Sequence, residues 1–234
     1  MNSTYTKEFQ MGGENLSGIL HMVQEAAGDH SAALGTDRQA LLEKNLFWAV
    51  IRHRVQILRM PEEGEAVSVT TWPRPTTRSA YPRATEGFDR QGNLLFRAVS
   101  LWVLMDTATR AMVLPKRSGV EVAGVTMGTE LEFPGSLAPL AADRQQFRLV
   151  CREDLDVNGH VNNCRYLTWV SQLPEEGFEH PTELSVCYLS EALEGEKLTL
   201  GWTNEGETLR VEAVRQGKNV SLGHSRVFAA ELRK

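Results

Sequence analysis

Asp156-Val157-Asn158-Gly159-His160-Val161-Asn162-Asn163-Cys164-Arg165-Tyr166 is the stretch on which the reading of this 234-residue chain turns. Asp156, Asn158 and His160, three side chains able to hold or move protons, recur at every second position. In an extended segment successive side chains alternate between faces, so the spacing predicts that these three project to one side. From Asn163 to Leu173 the period changes, with Tyr166, Leu167, Val170 and Leu173 at helical intervals. The first N–H groups of a helix have no partner within it. A carboxylate, an amide and an imidazole would meet beside those donors, an arrangement suited to an anionic tetrahedral intermediate. A polar turn that caps a helix uses the same residue types, and spacing alone leaves both readings open.

The residues on either side repeat one order of elements twice. In the second half, Gln146 to Cys151 reads as a strand and Asn163 to Leu173 as the helix. Four strand-like runs follow: Glu183 to Leu193, Lys197 to Trp202, Thr208 to Arg215 and Val220 to Leu232. Glu205-Gly206 and Gln216-Gly217 supply hairpin turns. The first half opens with a strand around Tyr5, Lys7 and Phe9. Gly13 to Leu34 then has helical spacing, with Leu16, Ile19, Leu20, Val23, Ala26 and Ala27 on one face. Strand-like runs come next at Leu46 to Met60, Glu65 to Trp72, Ala80 to Asp89 and Leu94 to Met105, separated by turns such as Pro61-Glu62-Glu63-Gly64 and Arg90-Gln91-Gly92-Asn93. Val113 to Asp143, with Pro115, Gly119, Gly124, Gly128, Pro134, Gly135 and Pro139, reads as a linker between the halves. Strand, one long helix and antiparallel strands, given twice, predict an α+β fold in which each helix covers one face of a sheet. The expected division is residues 1–135, linker included, and 136–234, which carry the motif. Two such units can satisfy each other's sheet edges, which makes a monomer possible and leaves a homodimer open.

Composition excludes several classes. A net charge of −5 and a pI near 5.7 argue against general nucleic-acid binding. No run reaches the length needed to cross a membrane, and Met1 to Phe9 has neither an apolar signal core nor Arg-rich transit character, so the expected location is cytoplasmic. Cys151, Cys164 and Cys187 are odd in number and widely spaced, which implies neither a disulfide framework nor a CxxC metal site. His21, His30, His53, His180 and His224 lack paired ligand spacing, and no metal or other cofactor is expected. Trp48, Trp72 and Trp102 read as core residues, one or more of which could line a pocket. The pair Arg52 and Arg54, like Lys116 and Arg117, reads as solvated charge or as contacts for an acidic partner.

The chain resembles the acyl-acyl-carrier-protein thioesterases of the plant and bacterial type, which are built from two hotdog domains in one chain. Asp154-Leu155-Asp156-Val157-Asn158-Gly159-His160-Val161-Asn162-Asn163, with Tyr166 and Trp169 behind it, is similar to the family's D-x-N-x-H-V-N-N-x-x-Y segment. Asn45-Leu46-Phe47-Trp48-Ala49-Val50-Ile51-Arg52, leading to Thr71-Trp72, resembles its first-domain strand pair. Ser100-Leu101-Trp102-Val103-Leu104-Met105-Asp106, followed by Thr109-Arg110, gives a third match. The resemblance also implies that Leu184, Tyr188 and Glu191 occupy the family's L-x-x-x-Y-x-x-E strand, so that Glu191 takes the place of its catalytic carboxylate. Ala192 stands where plant members often carry cysteine, so an active protein would not need a thiol there.

The resemblance thus implies four site residues, Asp156, Asn158, His160 and Glu191, acting on a fatty acyl thioester carried by acyl carrier protein. Such a reaction needs an activated water and a stabilised oxyanion, and a thioester demands no metal. Glu191, in a partly apolar setting, is the expected base for the water. His160 could share that role or protonate the departing thiolate, Asp156 could orient it, and Asn158 could hold the water or the carbonyl. An acyl-coenzyme A thioesterase would use the same groups, and a non-catalytic acyl-binding module would gain nothing from them. Acyl chain length would depend on packing between the first helix and its sheet.

Overall fold

The computed structural model describes residues 3–13, 15–128, 130–216 and 225–234; Gly217 of the second expected hairpin turn, the expected strand start at Val220, and His224 lie outside them. In the first half β1 (Tyr5–Gln10) is followed by α1 (Asn15–Ala33), α2 (Arg38–Leu42), β2 (Leu46–Ile57), β3 (Ala66–Pro73), β4 (Tyr81–Phe88), β5 (Leu94–Asp106) and β6 (Met112–Val113). After α3 (Pro115–Ser118), the second half has β7 (Arg144–Leu149), α4 (Asn163–Ser171), β8 (Glu183–Tyr188), β9 (Lys197–Asn204), β10 (Thr208–Arg215) and β11 (Arg226–Arg233). Among the described residues these strands form one sheet in the order β1-β3-β4-β5-β2-β8-β11-β10-β9-β7, with β6 on β5. Every neighbouring pair is antiparallel. The two halves meet edge to edge where β2 pairs with β8, from Arg52 opposite Cys187 to Gln56 opposite Glu183.

Each half-sheet carries its own helix, as the repeated pattern predicted. Leu16, Ile19, Leu20, Val23 and Ala26 of α1 are buried against Val55, Ile57, Val67, Val69 and Phe96. In α4, Tyr166, Leu167, Trp169 and Val170 are buried among residues such as Leu184, Val186, Leu200 and Phe228. Each large apolar side chain removed from water in this way contributes about 1.5–3 kcal/mol. The helices touch one another, so the apolar core continues from one half into the other. Two short helices carried no apolar period: α2 starts where Asp37 accepts the Ala40 N–H at 2.8 Å, and α3 starts on Pro115.

The linker does more than connect. It crosses the sheet on the face opposite Val55 and Ile57, meeting strands in their spatial order. The Val125 N–H donates to Pro73 O on β3 at 2.9 Å, and Arg74 Nη1 donates to Leu131 O at 3.0 Å. Arg54 Nη1 on β2 reaches Glu132 Oε2 at 2.9 Å and Arg52 Nη1 reaches Pro134 O at 3.5 Å. Arg226 on β11 donates to Leu137 O from both Nη atoms at 3.2 Å, and Arg210 Nη2 on β10 to Ala138 O at 3.3 Å. On β9, Gly201 leaves room for the end of the linker: a Cβ there would lie 2.8 Å from that of Ala142. Arg52 and Arg54 are therefore neither freely solvated nor open to an acidic partner. Arg52 serves a linker carbonyl, and Arg54 lies between exposed Glu132 on the linker and partly buried Glu183 on β8.

Arg226 also lies 2.9 Å through Nε from Glu212 Oε1, a buried carboxylate whose other oxygen accepts the Leu140 N–H at 2.9 Å. Replacing Arg226 with Ala leaves that charge without its cation, so the Arg226→Ala variant is expected to lose about 3 kcal/mol of stability, read as a lowered urea midpoint. An unchanged midpoint would show that the linker is not fastened here.

Candidate active site

The motif departs from the expected extended conformation. Leu155 and Val161 form an antiparallel bridge, and the residues between them make a tight hairpin closed by the Asp156 N–H on His160 O at 2.8 Å and the Gly159 N–H on Asp156 O at 3.1 Å. Gly159 sits at φ 80°, a conformation that side-chain-bearing residues avoid. The Asp156 carboxylate fills the hairpin: Oδ1 accepts the N–H groups of Asn158 at 2.8 Å and His160 at 3.3 Å, while Oδ2 accepts from Asn158 Nδ2 at 3.2 Å. Alternation along a strand therefore does not gather these residues. A carboxylate-filled turn does, and Asp156 orients His160 through its backbone rather than its ring.

Two further anchors fix the hairpin. The buried Asp154 accepts from Arg165 Nε of α4 at 2.7 Å and from the Cys151 N–H at 2.9 Å. Asn162 caps α4, its side chain accepting the Cys164 N–H at 2.9 Å, so that donor of the first turn is already engaged. Beyond the hairpin, the Val161 N–H donates to Ala192 O at 2.9 Å, and His160 bridges Leu193. This pairing brings the loop after β8 to the motif.

β8 ends at Tyr188, earlier than the expected Leu193. The N–H groups of Leu189 and Ser190 both point at Val227 O, at 2.8 and 3.3 Å, so the register breaks before Glu191. Tyr188 donates through its hydroxyl to Asn163 O at 3.1 Å, and burial holds that phenol well above its usual range, so it remains a donor. The Glu191 carbonyl accepts from Arg215 Nη2, and Arg215 is itself held by Glu196 at 2.8 Å. Ala192 is fully buried in the core. Cys187, whose Sγ lies 3.5 Å from Gly135 O under the linker, is also buried, as a packing residue would be.

Two of the expected residues meet through their side chains: His160 Nε2 lies 3.3 Å from Glu191 Oε2. Asn158 and Asp156 adjoin them through the hairpin. The partly apolar setting expected for Glu191 is replaced by a cation. Arg110 from the first half binds Glu191 Oε1 through Nη2, places that same nitrogen 3.3 Å from His160 Nε2, and stacks its guanidinium 4.6 Å from the Phe47 ring centre. It sits in the turn between β5 and β6 at φ 57°, a left-handed conformation that costs an arginine roughly 1 kcal/mol. The only sequence signal was its place in the Thr109-Arg110 match, since nothing local connects it with a carboxylate 81 residues away.

A cavity of about 510 Å³ opens between the β1–α1 connection and α4 and is lined by Met11, Met22, Leu155, Asn162 and Thr168 among others. A smaller one of about 60 Å³ lies beneath the end of α1, bounded by Trp48, Trp102, Tyr81 and Arg83. Trp72 is fully buried, whereas Trp48 and Trp102 reach this cavity. Arg83 donates to His30 Nδ1 at 2.9 Å, and burial lowers its guanidinium to about 10.

The chain matches the family model described as Acyl-ACP thioesterase N-terminal domain over residues 5–115 and the corresponding C-terminal domain over residues 139–226. It is 30% identical over 190 residues to a chloroplastic palmitoyl-acyl carrier protein thioesterase from Gossypium hirsutum, covering 70% of this chain and 44% of that one. Over 193 residues it is 30% identical to a chloroplastic dodecanoyl-[acyl-carrier-protein] hydrolase from Umbellularia californica, covering 74% of this chain and 50% of that one. The chain thus spans about half the length of the relatives it matches. A solved acyl-ACP thioesterase from Bacteroides thetaiotaomicron superposes with a TM-score of 0.85 at 21% identity over 99% of this chain and 98% of that one, a likeness of fold.

If the Asp156 carboxylate closes the hairpin, Asp156→Ala loses about 1–2 kcal/mol, while Asp156→Asn, which keeps an acceptor for the two N–H groups, loses less. Thermal unfolding of both variants checks the order. Equal melting temperatures for Asp156→Ala and the parent chain would contradict it.

Proposed function

This chain belongs to the acyl-ACP thioesterase family, and from that premise we propose that it hydrolyses fatty acyl thioesters of acyl carrier protein to free acid and carrier thiol. The carrying observation is the approach of His160 Nε2 to within 3.3 Å of Glu191 Oε2. A carboxylate and an imidazole in direct contact can together accept the proton of a water beside them, and attack of that water on the thioester carbonyl needs no metal. Asn158 supplies an amide at the rim of the same hairpin, able to donate to the developing oxyanion. The thiolate departs with a proton returned by the pair, which leaves acid and thiol as products. Ala192 supports this reading, since its buried methyl leaves no thiol beside Glu191 and the carboxylate–imidazole pair is what remains.

The names of the relatives favour a carrier-protein substrate over coenzyme A. On matched acyl chains, kcat/KM is therefore expected to be higher for acyl carrier protein than for coenzyme A, measured as free thiol released. Equal or reversed values would assign the chain to acyl-coenzyme A instead.

His160→Ala and Glu191→Gln should each lower kcat by ~10²–10⁴ without unfolding the chain. Because the two groups act as one unit, the double variant should be little worse than the poorer single one. Cys187→Ala should retain most activity. Full turnover in a folded His160→Ala variant would remove the proposed site, and loss of turnover in folded Cys187→Ala would favour a thiol route.

A further inference from the structure

The pair at the centre of the site belongs to the second half, yet its third member comes from the first. Arg110 occupies one oxygen of Glu191, Oε1, and leaves the other facing His160. Without that grip the carboxylate, on a loop beyond the end of β8 and nearly half exposed, has free rotation about its side-chain bonds. The arginine is itself fixed by Phe47 beneath its guanidinium and by its N–H on Asp106 O at 3.0 Å. Asp106 closes the same turn, its Oδ1 accepting the N–H groups of Ala108 at 3.0 Å and Thr109 at 2.7 Å. A left-handed arginine in a turn braced in this way is held at a backbone cost for the sake of where its side chain reaches.

We propose that Arg110 is a positioning residue of the hydrolytic reaction, orienting the Glu191 carboxylate toward His160 across the junction of the two halves. The inference rests on the hydrolase reading above for its role in turnover, and on geometry alone for its coupling to the pair. The other charged groups packed around the pair are committed elsewhere. The Asp156 carboxylate faces the N–H groups of Asn158 and His160, and the Arg215 guanidinium of β10 is held by Glu196, Ser190 and the Glu191 carbonyl. Arg110 is thus the cation in direct contact with both members of the pair among the described residues.

The experiment compares the full chain with Arg110→Gln and Arg110→Lys. The NMR signal of the His160 ring Cε1–H, assigned by its loss in His160→Ala, is recorded at one fixed pH. Alongside it are measured kcat and KM for an acyl carrier protein thioester, and the melting temperature. In Arg110→Gln the His160 Cε1–H resonance is expected to shift, because the charge in direct contact with its ring is gone. At neutral pH kcat falls about tenfold with little change in KM, and Arg110→Lys recovers most of both shifts. An unchanged His160 resonance or an unchanged kcat in folded Arg110→Gln overturns the proposal, as does a loss of kcat that Arg110→Lys does not recover. If the parent chain hydrolyses no acyl thioester while the resonance still moves, the hydrolase reading fails and the contact of Arg110 with the pair stands.

Discussion

The pairing of β2 with β8 is the constraint from which the rest of the molecule follows. Each half carries a sheet with an edge, and an uncovered edge strand is a row of unsatisfied backbone groups. Joining them along Arg52 to Gln56 and Glu183 to Cys187 satisfies both and makes one sheet of two halves. The same register has a chemical consequence. β5 and β8 both run antiparallel to β2, so the end of β5, with the turn holding Arg110, and the end of β8, with the loop holding Glu191, lie at one end of the sheet. A shift of one residue would send every core side chain of β8 to the wrong face, so the register is fixed by burial of Leu184 and Val186 rather than by the site.

The linker answers a second problem created by that union. The face of the sheet away from α1 and α4 is crossed by a chain that forms no regular structure over most of its length, and its carbonyls need donors. Arginines on β2, β10 and β11 provide them, with long apolar stems lying on the sheet and guanidinium groups at the carbonyls. Glu212 and Glu132 neutralise part of this charge. A net acidic chain can therefore use several of its arginines internally, which removes Arg52 and Arg54 from the surface open to an acidic partner.

At the candidate site, backbone hydrogen bonds set the position of the few side chains that meet there. The hairpin is closed by Asp156, anchored through Asp154 to α4 and paired with the loop after β8 through Val161 and Ala192. These contacts leave the His160 ring and the Glu191 carboxylate at its rim. Buried Ala192 directly beside Glu191 shows how the loop is built: one residue points into the core as an anchor, and its neighbour points out to the pair.

By itself the sequence determined the two helices, the order of strands in each half and the presence of a polar motif at the start of the second helix. These rest on local period, and burial of one face of each element enforces that period wherever the chain folds. It also placed Asp156, Asn158, His160 and Glu191 as candidates, through a motif whose residues lie close together and through resemblance for the fourth. Other features had no local signature. The motif reads as alternation along a strand, yet a carboxylate that can bind several N–H groups closes it into a turn, and hydrogen bonds of that kind leave no period. The end of β8 before Glu191 follows from two N–H groups sharing Val227 O, an atom on another strand. The tertiary structure alone decided that Arg110 meets Glu191, because their contact spans 81 residues and depends on which strand edges pair. Sequence period specifies which face of an element is buried; it carries no information on which ends of distant elements are brought together, and that is settled by the packing of the whole sheet.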